Sequence, residues 1–149
     1  MRRTLLVGAV AAVVAALVVG CGGRAGSFPT GTYTATIESS DDVGFILFRT
    51  DGNWALYRGG PSTGGPHMIS DGTFTWNGDT LTYESDLLCE MEISQPDSGL
   101  SASAKKATYK WTYTNGTLTL TAKRDTCPDR AYLLDGRAWK AANEWSPPR

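Results

Sequence analysis

Apolar and polar positions alternate with a period of two from Gly31 onward. Tyr33, Ala35 and Ile37 are interleaved with Thr32, Thr34, Thr36 and Glu38, as in a strand with one buried face. Residues 44–49 are denser, with Phe45-Ile46-Leu47-Phe48 in succession, and predict a strand covered on both faces or twisted by a bulge at Gly44. Asp51-Gly52 turns the chain, and residues 53–58 return with Trp54 and Leu56 on one face, completing a hairpin. Residues 59–66 are rich in glycine and proline and predict a flexible loop ending at His67. A second hairpin spans residues 72–84 around Asn77-Gly78-Asp79. Phe74 and Trp76 share a face of its first strand, Leu81 and Tyr83 a face of its second. Residues 89–93 predict a short strand that places Glu90 and Glu92 on one solvated face, and residues 95–106 a mobile polar connection. The third hairpin has the strongest local signal. Tyr109, Trp111 and Tyr113 alternate with Thr108, Lys110 and Thr112, and Asn115-Gly116 supplies the two positive φ angles of a type I′ turn. Leu118, Leu120 and Ala122 then face inward.

The pattern changes after Cys127. Pro128 suits a helix start, Asp129 its positive end and Gly136 its stop, so residues 128–134 predict a short helix. Trp139 is expected to plug a barrel end, and residues beyond 142 to fray. About eight short strands with hairpin turns make an all-β antiparallel meander, and closing it into a barrel protects its edges. The Gly31-Thr32-Tyr33 start, the hairpins, and a closing segment Asp125-x-Cys127-x-x-Arg130 followed by Trp139 resemble a lipocalin-like, or more broadly calycin-like, β-barrel over residues 31–139. That family usually opens with Gly-x-Trp, where this chain has Tyr33. The resemblance implies a small barrel of about eight strands with one short C-terminal helix.

Upstream, Arg2 and Arg3 precede an uncharged apolar run to Gly20, and Val18-Val19-Gly20-Cys21 resembles the lipobox of bacterial lipoproteins. The resemblance implies cleavage before Cys21 and acylation of that cysteine. Membrane attachment follows, on the outer face of the plasma membrane or on an outer membrane if the source has one. The expected organisation is a signal peptide (1–20), a flexible tether (21–29), the barrel (30–140) and a frayed tail (141–149). Outside the plasma membrane, the remaining pair Cys89 and Cys127 is expected to form one disulfide. A metal or redox pair is the weaker alternative, since neither C-x-x-C spacing nor a nearby His supports it.

Composition narrows the function further. The formal charge is −1, and losing Arg2 and Arg3 makes the mature chain more acidic, which gives no electrostatic case for nucleic acid. His67 is the sole histidine, read as a solvated loop residue, and Asp41-Asp42 reads as a turn. No catalytic residue, cofactor or metal site is assigned. All Trp, Tyr and Phe residues lie in the mature chain. Among them Trp54, Phe74, Trp76, Tyr83, Tyr109, Trp111 and Tyr113 are the candidate ligand-binding residues. Such a stripe can hold a small apolar ligand, or fill the barrel as core; the bulk of the rings favours the second. The leading expectation is a non-enzymatic, lipid-anchored binding or scaffolding module for a small apolar ligand or an envelope partner. The alternatives are a hydrolase using scattered carboxylates, and an inhibitor or adhesin acting through its loops.

Overall fold

The computed structural model describes residues 27–37, 42–60 and 65–147. The expected signal peptide, most of the expected tether and Cys21 lie outside the described residues. Eight strands follow one another as a meander: β1 (Gly31–Ile37), β2 (Asp42–Phe48), β3 (Asn53–Gly59), β4 (His67–Asn77), β5 (Thr80–Asp86), β6 (Ala107–Thr114), β7 (Thr117–Arg124) and β8 (Ala138–Ala141). All neighbours are antiparallel, and β8 pairs with both β7 and β1, which closes the barrel. Closure leaves no long free sheet edge. Among the described residues no helix is long and apolar enough to cross a membrane.

The period-two reading of inward faces holds over most of the strands. Tyr33, Ala35, Ile37, Ile46, Phe48, Trp54, Leu56, Phe74, Leu81, Tyr83, Tyr109, Leu118 and Leu120 form one buried cluster. Asn115 and Gly116 have φ of 50° and 77°, as the type I′ turn requires. β2 carries no bulge at Gly44; its register with β1 and β3 is continuous. Gly44 instead makes room, since a Cβ there would come 3.2 Å from the Trp139 ring.

Several expectations are corrected. Among the described residues there are two short α-helices, α1 (Leu87–Ile93) and α2 (Pro128–Leu134), where only the second was expected. The segment read as a strand at residues 89–93 is α1. Asp86 caps it by accepting the Leu88 amide at 3.0 Å, and Leu, Glu and Met favour a helix once it is started. Glu90 and Glu92, two residues apart on a helix, therefore do not share a face. The polar connection that follows is held by a 3-10 turn (Ala102–Lys105) whose Ala104 is buried. Trp139 is not an end plug: it lies within β8, opposite Leu118, fully buried. The plug is Phe28, placed by sequence in the tether. Its ring packs 4.9 Å from that of Phe48 and 5.4 Å from that of Trp111. In the expected tail, Ala141 belongs to β8, and Trp145 stacks on the outward Phe45 at 4.5 Å. Sequence periodicity could not anticipate single rings packing outside any repeat.

The antiparallel topology gives the barrel two unlike ends. One, the turn end, carries the three tight hairpins β2–β3, β4–β5 and β6–β7 together with Phe28. The other, the helical end, carries α1, the 3-10 turn, α2 and the β3–β4 connection.

Candidate functional site

The aromatic stripe is mostly core. Trp54, Phe74, Tyr83 and Tyr109 are buried to 2 % exposure or less, and their rings interlock: Tyr83 lies 5.0 Å from Trp54 and 5.5 Å from Tyr109. These four have no free face for a ligand along the barrel axis. The remainder of the stripe departs from the expected burial. Trp76 is 39 % and Tyr113 44 % exposed, and Trp111 is half-buried. The alternation is intact, but β4 and β6 run on past the packed interior, so their last inward positions face the barrel mouth. Trp111 is fixed there by its indole N–H, which donates to the Gly78 carbonyl at 3.1 Å. Lys110 is exposed beside it, as expected.

A buried polar network holds the helical end together. Arg130, on α2, is 1 % exposed. Its Nε and Nη2 donate to the two oxygens of Asp125 at 2.8 and 2.6 Å, a bidentate fork. Its Nη1 donates to Asp86 at 3.2 Å, and Nη2 also to the Ala104 carbonyl at 2.8 Å. Asp86 further accepts from the Ser70 hydroxyl at 2.7 Å, and Asp125 from the Tyr109 hydroxyl and the Cys127 amide. One guanidinium thus joins β5, the 3-10 turn, the β7–α2 connection and, through the two aspartates, β4 and β6. Burial pulls the Arg130 pKa down, but its contacts with Asp125 and Asp86 outweigh that and leave it raised. Burial first, and Asp125 second, push the Tyr109 hydroxyl far above the usual phenol range, so it stays a donor.

Cys89 on α1 and Cys127 before α2 stand at disulfide distance, with Cα atoms 5.8 Å apart and both residues buried. The Glu92 carboxylate lies 3.0 Å from the Cys127 sulfur. Paired sulfurs offer no thiolate, so the grouping of Cys89, Glu92 and Cys127 suits a metal only in reduced protein. Burial, then the neighbouring Asp129, raises the Glu92 pKa.

This framework positions a cleft of about 560 Å³ at the helical end, lined by Asp42, Arg58, His67, Ile69, Leu88, Asp129, Tyr132 and Leu133. Ile69, Leu88 and Leu133 supply apolar wall, and the other five residues polar atoms. Arg58 Nε meets the buried Asp42 carboxylate at 2.8 Å. Gly60 is required next to this pair, because a Cβ there would overlap the Asp42 carboxylate. His67 is the first residue of β4 and is exposed, opposite Arg58 in the register. None of the candidate ligand residues lines this cleft. His67 and Asp42 were noted in the sequence only as loop and turn residues, and Arg58, Asp129 and Tyr132 carried no signal of a site. Asp125 and Arg130 entered only through the closing segment that carried the barrel resemblance, without a chemical role, and Cys127 also as the expected disulfide partner of Cys89. No protein-family model, curated protein or solved structure matches the chain.

Proposed function

We propose that the chain is a lipid-anchored cell-envelope protein whose lipocalin-like barrel works as a non-enzymatic binding module, and that it takes its ligand in the cleft at the helical end rather than along the barrel axis. The observation that carries this reading is the division of the molecule: rings fill the interior, while the cleft is open, of ligand size, and walled by elements that Arg130 and the cysteine pair hold in place. Its lining suits a small molecule with an apolar body, seated on Ile69, Leu88 and Leu133, and a polar head reached by Arg58, His67 and Tyr132. The lipobox supports attachment through Cys21, and the cleft opens at the end away from Phe28, where the chain leaves Cys21. A hydrolytic role is less well supported, because Asp42 is engaged by Arg58 and Asp129 lies against Glu92. The test is native mass spectrometry of protein extracted from its host membrane, wild type beside a His67→Ala/Tyr132→Ala variant. Both residues are exposed, so folding should be kept. A co-purifying small molecule carried by the wild type and lost from the variant is expected. An adduct retained by the variant, or a wild type that binds nothing from an envelope extract, contradicts the cleft as the site.

A further inference from the structure

We infer that the aromatic mouth at the turn end is a membrane-contacting surface, with Trp76 and Tyr113 seated in the headgroup layer of the bilayer that carries the anchor. The inference rests on the lipid-anchor reading of Cys21. Three observations on separate elements meet at this mouth. Phe28 closes it from the N-terminal side, packing 6.0 Å from Trp76 and 5.4 Å from Trp111. Trp76 and Tyr113 are each one residue from the end of their strands, β4 and β6, and both remain well exposed although they occupy inward positions. Tyr113 also packs 6.2 Å from Tyr33, so the rings surround the opening instead of standing apart.

The length of chain between anchor and mouth decides what covers it. Residues 22–26 are all that separate Cys21 from the described Ser27. Fully extended, the seven steps from Cys21 to Phe28 reach roughly 25 Å, less than the thickness of a bilayer core. An acylated Cys21 therefore keeps Phe28, and the mouth it plugs, within reach of the headgroups, while the opposite cleft faces away. Trp and Tyr combine an apolar ring with a polar tip and collect at this depth. The charges around the mouth do not oppose contact: Lys110 and Lys123 lie 3.7 and 3.9 Å from Asp79, and the exposed Arg49 is two residues along the chain from Asp51.

The test uses the full chain purified from host membranes and reconstituted in phosphatidylethanolamine–phosphatidylglycerol vesicles with brominated acyl chains. The mass of its N-terminal peptide is read in the same preparation. Acylated wild type should lose tryptophan fluorescence in brominated relative to plain vesicles, and Trp76→Phe should abolish most of that loss. Should the variant fold poorly, hydrogen exchange on the wild type gives the second reading. Amides at 76–79 and 113–116 should exchange more slowly on vesicles than in a soluble Cys21→Ser form, with those around His67 unchanged. Acylated protein that shows no bromine quenching, or equal quenching in Trp76→Phe, overturns the membrane contact and leaves the anchor standing. An N-terminal peptide without acyl chains overturns the anchor and the contact with it.

Discussion

Replacing Arg130 by Met removes the one cation of the buried network while nearly keeping its volume. Two carboxylates, Asp86 and Asp125, then remain buried without a counter-charge. Deleting one partner of a buried ion pair costs about 3–5 kcal/mol. Here each aspartate keeps other donors, Ser70 and the Leu88 amide for one, Tyr109 and the Cys127 amide for the other, so the loss should fall inside that range and not above it. Against a typical stability of about 5–15 kcal/mol this is a large fraction, and the melting temperature should fall by roughly 10–20 °C. Urea unfolding followed by tryptophan fluorescence at pH 7 measures it. A loss below about 1 kcal/mol would refute the reasoning.

Further substitutions probe the mouth and the helix pair. Trp111→Ala should destabilise by about 2–3 kcal/mol, below the usual cost for a fully buried ring because this one is half-exposed, and Lys110→Ala by no more than about 0.5 kcal/mol; equal small effects in chemical denaturation would mean that β6 is mis-registered. Cys89→Ala/Cys127→Ala should lower stability by up to about 4 kcal/mol, from the chain entropy of the closed loop, and free-thiol titration of fresh wild type should find neither cysteine; two titrating thiols would exclude the pair. Glu92→Gln should raise the melting temperature slightly at pH 7, since the folded-state pKa of Glu92 is raised by burial and by Asp129, and the gain should vanish below the ordinary glutamate pKa of about 4.3; a gain that persists in acid would assign it to something other than charge.

How much of this was legible in the sequence depends on the range of the interaction involved. Strand alternation and the Asn115-Gly116 turn are local, and they gave the meander and the faces of Tyr33, Trp54, Tyr83 and Tyr109 correctly. α1 was missed because Cys89, Met91 and Ile93 mimic strand alternation over so short a stretch; what decides against a strand is the cap at Asp86, itself held by Ser70 on another strand. Phe28 and Trp145 were assigned to tether and tail because a single ring outside a periodic run carries no local signal. Trp76 and Tyr113 kept the predicted face but not the predicted burial, since alternation reports direction and not the depth at which a strand leaves the core. The cleft was the least legible part. Asp42, Arg58, His67, Asp129 and Tyr132 come from β2, β3, β4 and α2, and only closure of the barrel brings them together.

Lipid attachment at Cys21 is tested most directly by cell fractionation of wild type and Cys21→Ser after a high-salt wash. A diacylated cysteine supplies in one residue the two signals that stable anchoring takes, each buried methylene contributing about 0.8 kcal/mol. Wild type should remain with the membranes and the serine variant should leave them, exposed rings at the mouth being too few to hold it alone. A Cys21→Ser protein that still sediments with washed membranes would contradict the anchor.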